Sequence, residues 1–446
     1  MRTRWGDAAD FPFTSEAQLT RPTRAWRTAV VLATASLALT ACGNNDDSNN
    51  AGNDASAAPS ESSSAPAKGD GKLTVGTLLP QTGDLAFLGP PEFAGVAAAV
   101  KDINAAGGVL GQDVVEVKAD SGDGTPDIAG AQTDKLLDAN ADVVVGAASS
   151  SVSLSVIDKI TGAGVVHFSP ANTSPALDDA KTDPKNLYFR TAPSDVLQGA
   201  VMANLLIEDG KNNVAILARQ DSYGELLAAQ IEKGLKAGGA GVAIKKLYSA
   251  DATNFTAEVN SVAAVKPDAI VLVSFDETKK LVPQLIAKNV GPQQVDTYFV
   301  DGNTADYSKD FDKGTLTGTK ATLPGADPKD FKNKLLATNS KLTDFTYGPE
   351  SYDATVLTAL AAISAKTDDP TTFAPQIIEA STGGTKCTTF ADCSKLAESG
   401  EDIDYDGVSG PIELGKTGSP TKASIGIFVY GADNKYTNEK YIAGVI

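Results

Sequence analysis

The residues of this 446-residue chain with the most distinctive chemistry are its three cysteines and its single histidine. Cys42 directly follows Leu39-Thr40-Ala41, which closes the apolar stretch Thr28 to Ala41, and Arg21, Arg24 and Arg27 lie just upstream. A basic flank, a short apolar core, small residues and then cysteine form the pattern of a bacterial lipoprotein signal. That core is too short to cross a bilayer as a permanent helix. Residues 1–41 are therefore expected to be an N-terminal extension and signal peptide. Cys42 then becomes the lipidated first residue, held on the extracytoplasmic face of the cell membrane. Cys387 and Cys393 remain as an even pair in a chain that faces an oxidising exterior, and a disulfide closing a small loop is expected. Their spacing is not CxxC and no histidine lies near them, which disfavours a metal or redox pair.

Catalytic chemistry finds little footing. His167 sits inside the apolar run Val165 to Phe168, two residues before Ser169, so a Ser-His-Asp arrangement would need unusual geometry. No GxxxxGK[ST] or HExxH pattern occurs, and Asp120, Asp123 and Asp127 do not follow calcium-loop spacing. They read as a solvated loop. Neither an enzyme, a metal nor a cofactor is expected. A net charge of -18 and a pI of about 4.5 argue against a phosphate-binding surface, which excludes nucleic acid as a partner. No segment after the leader approaches the ~20 apolar residues of a transmembrane helix, so the membrane is met through the lipid only.

The elements that must position any site begin after a tether. Residues 42–72 are Asn, Asp, Ser, Ala, Gly and Pro with almost no large apolar side chain, too polar to offset the entropy of ordering. From Leu73 the pattern alternates strand and helix. Strands are read at Leu73–Leu79, Val114–Val117, Val143–Val145, Val165–Phe168 and Leu187–Arg190, with helical spacing between them. A second alternating set follows, with strands at Val214–Leu217, Val242–Leu247, Ala269–Val273 and Tyr298–Val300. Helical stretches Tyr352–Ile363 and Phe373–Ile378 come next, then the cysteine loop and strands at Ile412–Leu414 and Ser424–Tyr430. The fold class is α/β, with two doubly wound, Rossmann-like lobes. Ligands of such sheets bind beyond the carboxyl ends of the strands, which places a site in the cleft between the lobes.

Residues in this order carry a family resemblance. Thr82-Gly83, Asp102-Ile103-Asn104 before Gly107-Gly108, Ser149-Ser150-Ser151, Ser169 to Thr173, Asp221 to Gly224 and Tyr352-Asp353-Ala354 resemble the leucine/isoleucine/valine-binding proteins of ABC importers. The resemblance spans nearly everything from Lys72 onwards. It implies the type I periplasmic binding-protein fold, a Venus-flytrap whose chain crosses a three-strand hinge near Thr191, Thr322 and Asp402. Lobe 1 would then comprise 73–191 and 322–402, and lobe 2 would comprise 192–321 and 403–446.

The same resemblance implies the site. Ser150 matches the family's carboxylate-binding serine. Ala171 offers a backbone carbonyl to the ligand's ammonium, and Thr173 bonds both charged groups. Asp301 falls where the family places an acid against that ammonium, Tyr223 closes over the ligand, and Phe275 and Tyr347 line the site. Leu88, with Phe87 beside it, stands where the family carries a tyrosine. Physically, the serine turn opens a helix whose positive end suits an anion, although the turn taken alone reads more readily as a helix cap. The partners implied are a small amino acid and importer permease subunits, with the protein itself a monomer. A ligand sensor of the same fold, or an amide- or urea-binding relative, is the alternative.

Overall fold

The computed structural model describes residues 69–124 and 127–446, all within one compact unit. Cys42, the signal segment and nearly all of the tether lie outside the described residues.

The first lobe is built on β1 (Thr74–Leu79), β2 (Val115–Asp120), β3 (Val143–Gly146), β4 (Val166–Ser169) and β5 (Tyr188–Arg190), in the order β2-β1-β3-β4-β5 with every pairing parallel. Alternation along these strands feeds two apolar cores. Val143 and Val145 face α1 (Gly89–Ala105) and later helices, whereas Val144 faces α2 (Ala129–Asp138) and α3 (Ser150–Gly162).

The second lobe repeats the device. After α4 (Asp195–Glu208) come β6 (Asn213–Gln220), α5 (Ser222–Ala237), β7 (Gly241–Ser249), α6 (Thr256–Ala264), β8 (Ala269–Val273), α7 (Thr278–Ala287), β9 (Asp296–Phe299) and β10 (Lys320–Pro324). Val214, Ile216 and Ala218 join one core while Ala215 and Leu217 join the other.

The chain then returns to the first lobe. There α8 (Phe331–Thr338), α9 (Gly348–Ala365), α10 (Pro370–Glu379), β11 (Thr385–Cys387), α11 (Phe390–Ser399), β12 (Ile403–Gly407) and β13 (Gly410–Pro411) follow, before β14 (Lys422–Tyr430) and β15 (Tyr436–Val445) complete the second sheet. Helix α9 is buried on every side from Gly348 to Ile363 and packs on α1 and α10. This suits a helix with no polar face. At the α1 crossing a Cβ on Gly95 would fall on the Gly348 carbonyl, so only glycine permits the approach. Cys387 and Cys393 are joined by a disulfide with Cα atoms 5.4 Å apart, tying β11 to α11.

Two expectations change. Ile403, Tyr405, Ile412 and Leu414 belong to the first lobe's core, so the third passage between sheets falls between Leu414 and Lys422, not near Asp402. Ile403 and Tyr405 lie on β12 of a separate three-stranded sheet, β11-β12-β13, and the expected strand Ile412–Leu414 forms only an isolated bridge at Leu414. The second sheet is also not wholly parallel: its order is β15-β14-β10-β9-β8-β6-β7, and β14 pairs antiparallel with both β10 and β15. A tight turn joins β14 to β15, with Asn434 at φ 58° and the Gly431 N–H donating to Lys435 O, and so short a link allows only antiparallel strands.

Candidate functional site

Each lobe aims one helix N-terminus at the other. In the first lobe Gly146 ends β3 at φ 127°, where any Cβ would strike the Leu78 carbonyl, and the chain turns into the serine run that opens α3. Ser149 stands at the N-cap but its side chain makes no capping bond, and its buried hydroxyl has no partner. The capping explanation therefore fails for Ser149. Ser150 Oγ accepts the Thr173 and Ser174 N–H groups at 3.3 and 3.2 Å, which leaves its own O–H to donate elsewhere. Asn172 anchors the neighbouring loop by donating to the Ala147 and Ala148 carbonyls, both at 2.9 Å. Ala171 and Thr173 are thereby held beside α3.

In the second lobe Asp221 caps α5 by accepting the Gly224 N–H at 2.7 Å and also pairs with Arg219 at 2.6 Å. Tyr223 is thus fixed at the first turn. Its ring stacks on Phe275 with centroids 5.4 Å apart, and the Arg219 guanidinium carbon lies 3.6 Å from the Phe275 ring centre. Asp301 follows β9 and opens a single 3-10 turn, Asp301–Asn303, whose Asn303 Oδ1 accepts the Val300 N–H at 2.8 Å. Tyr347 precedes α9 at φ 59°.

All seven residues named from the sequence line one gap between the lobes: Ser150, Ala171, Thr173, Tyr223, Phe275, Asp301 and Tyr347, together with Leu85, Leu88, Ala148, Ser149 and Gly302. The space is about 10 Å³, roughly what one water needs. Larger cavities, about 470 and 370 Å³, lie beside the hinge, and Glu350 borders both. The small gap is the better site because it gathers three hydroxyls from one lobe, one of them the unpartnered Ser149, and a buried carboxylate from the other. Across it the lobes touch directly. The Ser222 N–H donates to Ser151 Oγ at 3.2 Å, Ser174 Oγ donates to the Ser222 carbonyl at 3.0 Å, and the Asp276 N–H donates to the Asp84 carbonyl at 3.2 Å.

Asp301 is the electrostatic centre. Its Oδ1 accepts from Tyr223 Oη at 2.6 Å and Gln198 Nε2 at 2.8 Å, and its Oδ2 accepts from Tyr347 Oη at 2.8 Å. Burial raises its pKa, and these three donors oppose the rise. Gln198 and Asp195 were missed in the sequence. The sequence marks a helix there only by its apolar residues from Leu197 to Ile207, and nothing in the spacing shows that Gln198 reaches the site.

Other residues considered for chemistry are accounted for. Burial lowers the His167 pKa to about 4, leaving a neutral ring edge-on to Tyr188 at 5.3 Å. Ser169 donates to the Ala147 carbonyl at 2.7 Å instead of addressing that histidine. The acidic loop is not merely solvated, since Asp120 accepts the Gln81 N–H at 2.8 Å and the Thr82 hydroxyl at 2.7 Å and so shapes the turn after β1.

Residues 72–427 match the family model described as periplasmic binding protein. The chain belongs to that family. Its members work outside the cytoplasm and bind small solutes, and no described helix is long and apolar enough to cross a membrane. The chain is 26% identical over 353 residues to the chemotactic signal transduction system substrate-binding protein BasB of Halobacterium salinarum, covering 77% of this chain and 83% of that one. It is 29% identical over 274 residues to the leucine-, isoleucine-, valine-, threonine- and alanine-binding protein of Pseudomonas aeruginosa, covering 59% and 69%. Leucine-binding protein LivK of Thermotoga maritima shares the fold at a TM-score of 0.68 and 18% identity, over 83% of this chain and 98% of that one. The type I periplasmic binding-protein fold expected from the sequence is the fold observed.

Proposed function

We propose that this protein is lipid-anchored through Cys42 on the extracytoplasmic face, captures a branched-chain or similar amino acid between its lobes, and delivers it to an ABC importer. One observation carries the reading: the gap is lined by hydroxyls from the first lobe and by a carboxylate from the second. Ser150 and the first turn of α3 offer donors that suit a carboxylate, and Asp301 offers an acceptor that suits an ammonium. Leu85, Leu88, Ala148 and Phe275 supply the apolar wall between them. A zwitterion with an aliphatic side chain matches that layout. Hinge closure then follows from differential contact, because the second lobe's Tyr223 and Asp301 reach the ligand only when the lobes meet.

Calorimetric titration of the detergent-solubilised full chain tests this. Saturable binding of leucine, isoleucine or valine is expected, with benzoate, a carboxylate without an ammonium, giving no heat. Binding of benzoate without any amino acid would sink the reading. Replacing Cys42 by serine should move the protein from the membrane to the soluble fraction. The relative from the chemotactic signal transduction system supports a second reading, a sensor that hands the same ligand to a receptor. Co-purification with permease subunits or with a receptor separates the two.

A further inference from the structure

The site holds a second acid. Asp195 opens α4, is fully buried, and shares the Gln198 amide with Asp301: Nε2 donates to Asp195 Oδ1 at 3.1 Å and to Asp301 Oδ1 at 2.8 Å. The Gln198 carbonyl oxygen accepts from the Thr322 hydroxyl at 3.1 Å, which keeps the amide turned towards both acids. The other Asp195 oxygen, Oδ2, lies 3.0 Å from Thr173 Oγ1, one of the hydroxyls lining the gap.

The two acids are not equivalent. Asp301 faces three partners, Tyr223, Tyr347 and Gln198, against two for Asp195, and the Tyr223 oxygen already accepts the Gly302 N–H at 3.1 Å, which leaves its O–H to donate to the acid. Asp195 faces Gln198 and one hydroxyl, and a hydroxyl accepts as readily as it donates. The cation acting on Asp195 is Arg190, whose guanidinium is already committed to Asp178 at 2.5 Å, Ser419 at 2.8 Å and the carbonyls of Asn172 and Ser174. Burial and the Asp301 charge both push the Asp195 pKa up, and they outweigh Arg190 and the two hydrogen bonds that oppose them. Two carboxylates on one buried amide cannot both ionise cheaply, and unequal surroundings decide which keeps the proton.

We propose that Asp195 is a positioning residue that stays protonated and donates its O–H to Thr173 Oγ1, leaving the threonine hydroxyl hydrogen free to point at the ligand's carboxylate. Asp301 is the ionised member of the pair and receives the ammonium. The buried acids then carry one negative charge between them, and the ligand's ammonium is matched by one carboxylate instead of two. This rests on the amino-acid reading of the gap.

Asp195→Asn and Asp195→Ala test it together. Asparagine presents an N–H where the acid has its O–H, so its affinity for leucine by calorimetry should stay within about threefold of wild type at pH 7. Alanine leaves the threonine unguided and should cost about tenfold, the effect of one net hydrogen bond. Without any ligand, the infrared difference spectrum of wild type minus Asp195→Asn at neutral pH should show the carbonyl stretch of a protonated carboxyl. An asparagine variant that is folded by circular dichroism yet binds no better than alanine, or a difference spectrum with only carboxylate bands, overturns the proposal. Wild type that binds leucine while the asparagine variant does not breaks this inference alone. Wild type that binds no amino acid removes the ligand reading, and the role of Thr173 with it.

Discussion

At the residue scale the site divides its labour between hydroxyls and one carboxylate. Asp301→Ala removes the proposed acceptor for a ligand's ammonium and strands two tyrosine hydroxyls and an amide in a buried place. Its affinity for a zwitterionic amino acid should fall by roughly ten- to a hundredfold or more, since a charge-assisted bond contributes about 1.5–3 kcal/mol. Calorimetry on a variant with an unchanged melting profile checks this, and unaltered affinity would remove Asp301 from the site. Ser150, Thr173 and Asp301 were legible through the family resemblance, and each lies just past a strand end, the position at which α/β sheets expose chemistry. Gln198 and Asp195 were not legible for the opposite reason. They lie in a helix, and which face of α4 meets the cleft depends on how it packs on α5 and on β10, β14 and β15.

At the element scale the chain's regular alternation was legible, and its late additions were not. Val143-Val144-Val145 and Val214 to Ala218 are apolar throughout, as strands covered on both faces must be. By contrast β15 carries Thr437, Asn438, Glu439 and Lys440 in a row, exposed along the sheet's edge, so no alternation marks it. Helix α11 depends on Thr389, whose hydroxyl accepts the Asp392 N–H at 3.2 Å, a cap hidden within the cysteine loop. The α1–α9 crossing sets two walls of the gap at once, because Leu88 precedes α1 and Tyr347 precedes α9. Gly95→Ala forces those helices apart against a backbone carbonyl that has no rotamer to yield. A loss of about 1–3 kcal/mol in urea denaturation is expected, together with weaker ligand binding. A variant as stable as wild type would show that the helices separate at no cost.

At the scale of the whole molecule, acidity is coupled to stability through Glu350. Burial and the neighbouring Asp353 raise its pKa from 4.5 to about 8. Below about 4.5 the folded and unfolded chains both hold the proton and no penalty arises. Between there and about 8 only the folded chain keeps it, so this contribution falls as pH rises, by about 1.4 kcal/mol for each pH unit. Above about 8 the loss is complete. Glu350→Gln should flatten the decline of the urea midpoint between pH 5 and 8, and an unchanged slope would exonerate this carboxyl. The two-lobe plan was legible from the repeated strand-helix rhythm; the late third passage was not, since Ile412 and Leu414 look alike whichever core they enter. The tightness of the gap has one more consequence. With room for about a single water between lobes already joined by the Ser151–Ser222 and Asp84–Asp276 hydrogen bonds, the gap is shut as it stands, and a solute larger than water enters or leaves only after those clasps part. Access to the gap is then a property of those clasps more than of the pocket walls, whatever solute fills it.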